Sequence, residues 1–280
     1  MAPHINGPLY REQLGKTGRP VVFVHPNPLD HSCWIYQMDH FSTWYRCVSV
    51  DLPGYGKSPT ADPGLTIADM AQACWEVMDE VTRDPAIVVG LSVGWHTVMH
   101  MAHQQPDRTL AIILSGCAYR ASTPPGRDGG AGAGPAFLEQ GMAARHPRIL
   151  GLYSRRFRET DLAPYFDEIL VERNSWADAR SIAEIYVGAL GPYPRDPEWL
   201  FEGVKKPALI ITGSEDGSHD GAFALQEKIA GCELVTMEGA GHACNMERPW
   251  EWDSQALRFL VKHGLFEGEL LEPSTPTLPA

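Results

Sequence analysis

The feature that most limits what this chain can fold into is the run at residues 88–95, V-V-G-L-S-V-G-W, where β-branched residues lead into a serine held between Gly90 and Gly94. This G-x-S-x-G pattern requires a strand to turn into a helix within about one residue, with Ser92 in a strained backbone conformation at the corner. Small flanking residues let such a turn close. Residues 85–89 supply the strand. Residues 95–105 supply the helix, with Val98, Met99 and Ala102 at helical spacing. A glycine-rich turn can carry a serine by chance, so the rest of the chain has to supply the context.

That context is a repeated alternation of strand and helix. Residues 9–15 read as a strand, and residues 21–25, V-V-F-V-H, as a strand covered on both faces that ends in H-P-N-P. A helix over 30–42 and a strand over 45–52 follow, the latter running into D-L-P-G-Y-G-K-S. The helix at 67–81 places Met70, Ala71, Cys74, Val77, Met78 and Val81 near the i, i+3, i+4, i+7 pattern. After the Ser92 turn comes a buried strand at 110–114. The segment from about 119 to about 203 then changes character: a glycine- and proline-rich loop at 124–135, followed by helical stretches at 137–145, 162–173 and 177–189. The loop reads as mobile and as a hinge. Strands at 208–212 and 233–237, with helices at 222–229 and 249–261, complete the alternation, and residues 265–280 read as a frayed tail.

Composition narrows the partners. A formal net charge of −12 disfavours nucleic acid and anionic membrane surfaces, both of which reward basic patches, and a small organic substrate is the expectation. The start of the chain has no basic region followed by an apolar core, and no apolar run reaches the ~18 residues of a membrane span, so a soluble cytoplasmic protein is expected. The sequence leaves a homo-oligomer open. Six cysteines without C-x-x-C spacing read as reduced, mostly buried thiols rather than a zinc site or disulfide framework. His25, His31 and Asp30 do not present two imidazoles on one face, so no metal is expected.

In these residues the chain resembles the α/β-hydrolase family with a lid, over about residues 9–264. The resemblance rests on five motifs in order: H-P-N-P, D-L-P-G-Y-G-K-S, G-L-S-V-G, G-S-E-D and G-A-G-H. It implies an α/β fold with a mostly parallel central sheet flanked by helices, a core of residues 1–118 and 204–264, and an inserted helical cap over 119–203. In such a fold a serine nucleophile needs a base to take its proton and a carboxylate to orient the base, in chain order serine, acid, histidine. Among His219, His242 and His263, the glycine-rich loop at 239–242 favours His242 as the base. Asp216, last in G-S-E-D, is favoured as the acid over Glu215 and Asp220. The other family position for the acid, S-G-C at 115–117, holds no carboxylate.

An oxyanion hole needs two convergent N–H donors. Val93, directly after the serine, supplies one. The family pattern H-G-x-P is H-P-N-P here, and Pro26 has no N–H, so Asn27 supplies the second. The Asn27 side-chain amide either faces the pocket or stabilises the turn. His25, Trp34, Trp95 and His96 are candidate pocket residues, and Asp51 reads as structural. The implied activity is hydrolysis of an ester, lactone or activated amide through an acyl-enzyme, with no cofactor. Carbon–carbon bond hydrolysis and cofactor-free oxygenation use the same residues, and a ligand receptor on this scaffold is the alternative outside enzymology.

Overall fold

A computed structural model describes residues 4–27, 29–120, 133–142, 150–186 and 197–268. Among the described residues seven strands form one sheet: β1 (Arg11–Leu14), β2 (Pro20–Val24), β3 (Arg46–Val50), β4 (Ala86–Leu91), β5 (Thr109–Ser115), β6 (Ala208–Gly213) and β7 (Glu233–Met237), in the order β1-β3-β2-β4-β5-β6-β7. Only the β1–β3 pair is antiparallel; every other neighbouring pair is parallel. The expected mostly parallel sheet is therefore present. β2, β4 and β6 are buried at every position, which is why their sequences run apolar without alternation.

Successive residues of each strand serve opposite layers. Val22, Val24, Val48, Val88, Ile112 and Ile210 pack with helices α2 (Ile67–Val81) and α3 (Val93–Gln104). Val21, Phe23, Cys47, Ile87, Ile113 and Ile211 pack with α1 (Ile35–Phe41) and with a closing helix, Pro249–Lys262. The period of two along each strand thus builds two cores, one on each face.

Between β5 and β6 the described residues form only helices: α4 (Ala133–Gln140), a short α5 (Arg155–Arg158), α6 (Leu162–Asn174), α7 (Ala179–Glu184) and α8 (Glu198–Glu202). The C-terminal part adds α9 (His219–Lys228), α10 (Cys244–Glu247) and the closing helix as α11. The loop expected at 124–135 lies outside the described residues up to its last three, which open α4.

Several boundaries differ from the sequence reading. Residues 30–42 are not one helix: the Asp30 side chain accepts from Ser32 N and caps a tight turn at His31–Trp34 before α1 begins. Nor do residues 265–267 fray. Tyr45 Oη donates to Leu265 O at 3.1 Å, Phe266 packs on Trp44, and Glu267 pairs with Arg19 at 2.8 Å. Among the described residues no helix is long and apolar enough to cross a membrane.

Candidate active site

Ser92 stands at the C-terminal end of β4, at the centre of the sheet, with φ 53° and ψ −120°. A non-glycine residue with positive φ is held there by its surroundings. Gly90 and Gly94 do the holding. A Cβ on Gly90 would lie 2.4 Å from Gly94 O, and one on Gly94 would lie 2.2 Å from Val24 O and 2.9 Å from His25 O. The turn therefore closes only without side chains, and the same contact brings the head of α3 against the loop at residues 25–27. Ser92 N donates to Ser115 O at 3.0 Å, tying the corner to the end of β5.

Helix α3 begins at Val93, two residues earlier than expected, because Ser92 itself is the residue preceding the first turn. The Val93 amide is therefore one of the N-terminal N–H groups that lack an intrahelical acceptor, at the positive end of the helix dipole.

Asp216 and His242 come from loops after β6 and β7, 26 residues apart, and meet at 2.9 Å between Asp216 Oδ1 and His242 Nδ1. Asp216 is buried. Its Oδ1 also accepts from Ser218 N at 2.8 Å and its Oδ2 from Ser218 Oγ at 2.7 Å. Burial alone would raise its pKa, but the His242 imidazole and the hydrogen bonds from His242 and Ser218 outweigh it and hold the carboxyl below its ordinary value. The His242 ring lies over Gly116, where an added Cβ would come within 2.8 Å of Cε1. Gly116 directly follows Ser115, whose carbonyl holds Ser92, so one strand end touches both His242 and Ser92. Gly116 and Ser218 escaped the sequence reading, because their contribution is a contact with a distant loop or a hydrogen bond to a neighbour's side chain.

The rivals are placed elsewhere. Glu215 Oε2 accepts from Arg155 N at 2.7 Å, and His263 Nε2 pairs with Glu233 at 2.8 Å beyond α11. His219 opens α9 and packs edge-on against Phe223.

The loop after β2 is braced by side chains. Tyr55 Oη donates to Asn27 Oδ1 at 2.6 Å, and Asn27 Nδ2 donates to Tyr186 Oη, just beyond α7. Of the two roles open to this amide, it makes the loop-bracing contacts. His25 differs from its expectation as a pocket residue. It is wholly buried, its Nδ1 lies 2.8 Å from Pro26 O, and its Nε2 accepts from Leu52 N at 2.8 Å. These contacts assign the proton to Nδ1. Burial lowers the His25 pKa, outweighing Asp51, and favours this neutral form. Trp34 is likewise core rather than pocket: fully buried, it packs between Phe23 and Trp252. Trp95 and His96 are buried and stacked on each other at 3.8 Å.

Asp51 is structural, as its place in the motif indicates. Fully buried, it accepts from His31 N at 2.7 Å, Lys57 N at 2.9 Å and His31 Nδ1 at 2.8 Å. Asp30, His31 and Asp51 bring potential ligand atoms within 4.8 Å of one another. The Asp51 carboxylate already serves those three donors, and Arg173 lies 3.4 Å from Asp30, so this cluster is built as a loop clamp.

Comparison with known proteins identifies the family. The model of a family described as the alpha/beta hydrolase family matches residues 21–252. The AB hydrolase superfamily protein YisY of Bacillus subtilis (strain 168) is 29% identical over 264 residues, covering 90% of this chain and 94% of its own. The 3-oxoadipate enol-lactonase 1 of Acinetobacter baylyi is 25% identical over 253 residues, 89% of this chain and 88% of its own. The solved enol-lactonase from Burkholderia xenovorans LB400 shares the fold, with a TM-score of 0.79 at 24% identity over 92% of this chain and 98% of its own.

Proposed function

The chain belongs to the alpha/beta hydrolase family and is a hydrolytic enzyme, and from that premise we propose that it cleaves an ester or lactone of a small organic molecule through a serine acyl-enzyme. Ser92 attacks the carbonyl carbon. His242 takes the serine proton and passes it to the leaving oxygen, and Asp216 fixes the imidazole tautomer and stabilises the imidazolium without itself being protonated. The amides of Val93 and Asn27 receive the charge that develops on the carbonyl oxygen. Water, deprotonated by His242, then releases the acid. The helices between β5 and β6 serve as the cap that walls the substrate.

The observation that supports this reading is a strained Ser92 tied to Ser115 and a His242 that packs on the next residue, Gly116, while bonded to Asp216. Similarity to an enol-lactonase over 88% of that protein's length supports a lactone or ester. The test is a panel of p-nitrophenyl esters, lactones and aryl amides, run beside fluorophosphonate labelling of wild type and Ser92→Ala. Turnover of esters or lactones, with label on Ser92 that the alanine variant lacks, is expected. Wild-type turnover that survives Ser92→Ala at unchanged stability overturns the acyl-enzyme scheme.

A further inference from the structure

Residues 152–155, in the helical segment between β5 and β6, touch both loops that carry Asp216 and His242. Ala243 N donates to Leu152 O at 2.8 Å. Gly241 packs so closely on this segment that a Cβ would lie 2.5 Å from Ser154 N. Arg155 N donates to Glu215 Oε2 at 2.7 Å, one residue before Asp216. At the hub stands Glu247 of α10: its Oε2 accepts from Gly241 N and Ser154 N, each at 3.0 Å, and its Oε1 accepts from Ser154 Oγ. The residues on both sides of His242 are thus fastened to one short stretch of the inserted segment, and a single carboxylate makes the joint.

We propose that Glu247 and Ser154 form a clasp through which the inserted helical segment positions His242 against Asp216 and Ser92, with Glu247 as a positioning residue. This rests on the hydrolytic reading above for its kinetic consequence, though its structural consequence does not. A carboxylate is suited to the joint because it accepts from three donors at once. Glutamine at 247 has the same shape but no charge: with its oxygen toward the two N–H donors its N–H₂ meets Ser154 Oγ, so the charge-assisted bonds are lost and the joint loosens. A displacement near 1 Å in a proton-transferring group costs up to about 100-fold in rate.

The deciding measurement is the downfield proton NMR signal of His242 Nδ1–H in its hydrogen bond to Asp216, followed in wild type, Glu247→Gln and Ser154→Ala, beside kcat and KM on a p-nitrophenyl ester. In Glu247→Gln the signal is lost or exchange-broadened, and kcat falls about 10-fold or more with KM within about two-fold. Ser154→Ala, which removes one of three donors, shows the same pattern at about three-fold, and it carries the test alone if the glutamine variant does not fold. In an Asp216→Asn background Glu247→Gln adds little further loss, because both act through His242. Folded variants that keep the wild-type signal and kcat, with only a lowered melting temperature, overturn the proposal. If wild type neither hydrolyses esters or lactones nor takes fluorophosphonate, the hydrolytic reading fails, and the NMR signal still decides the clasp.

Discussion

At Ser92 chemistry and backbone strain compete. With φ at 53° and ψ at −120°, any side chain carries a cost of about 1–3 kcal/mol that glycine does not. Glycine recovers that strain but gives back about 0.5–1 kcal/mol of chain entropy. Ser92→Gly is therefore expected to be more stable than Ser92→Ala by about 1 kcal/mol while equally inactive, measured as the difference in urea midpoints. Equal midpoints would mean that the turn is relaxed. Asp216, the acid of the proposed triad, makes a second residue-scale case. Asp216→Asn keeps the shape of the site but removes the charge facing the imidazolium, and kcat is expected to fall by on the order of 10³–10⁴. Glu215→Gln and Asp220→Asn should change it less than about two-fold, since neither touches His242. The Asp216 pKa is lowered in the fold, so its contribution to stability is complete above the unfolded value near 4 and is lost as pH falls through the folded one. Asp216→Asn should flatten that acid-side decline in a pH series of melting temperatures.

At the scale of elements, what could be read from the sequence follows the range of the interactions. The elbow, its two glycines and the buried strands were legible because each is a local pattern answering a local demand: no room for Cβ at Gly90 and Gly94, both faces covered at β2 and β4. Helices α5 and α10, four residues each, are too short to show a period. The bond from Ser154 to Glu247 spans 93 residues, and nothing near either end announces it. Trp34 follows the site loop at 25–27 by a single turn yet packs in the layer under α11, a choice made by Phe23 and Trp252. The α1–α11 junction holds a further unannounced group, Asp253, fully buried against His40 Nδ1 at 2.8 Å and Gln37 Nε2 at 3.0 Å, with Asn245 bonded to Gln37 behind them. Burial pushes its pKa up to about 6, outweighing His40 and Gln37. A carboxyl raised in the fold binds its proton more tightly there than in the unfolded chain. The resulting stability is present below about pH 4 and is lost as pH rises toward 6. Asp253→Asn removes this slope, so its urea midpoint should gain on wild type between pH 4 and 6 and run parallel above. Parallel midpoints throughout would show that the pair with His40 carries no net cost.

At the scale of the molecule, the six cysteines report on both layers at once. Cys74, Cys117 and Cys232 sit in the layer with α2 and α3, and Cys33, Cys47 and Cys244 in the layer with α1 and α11; all are buried and unpaired. Desolvation raises every one of them, Cys74, Cys232 and Cys244 to about 12 and Cys33 and Cys117 well above the ordinary value, so the reactive thiolate is scarce while the fold is intact. A thiol reagent then meets these sulfurs only when a layer opens. If the two layers share one sheet and open together, all six thiols should react with Ellman's reagent in a single slow phase whose rate matches unfolding, and a change from pH 7 to pH 8.5 should scarcely speed it when opening limits the rate. Urea should release six equivalents at once. A fast native phase of one to three equivalents would instead show that one layer opens without the other, and peptide mapping of the labelled sulfurs would say which face of the sheet yields.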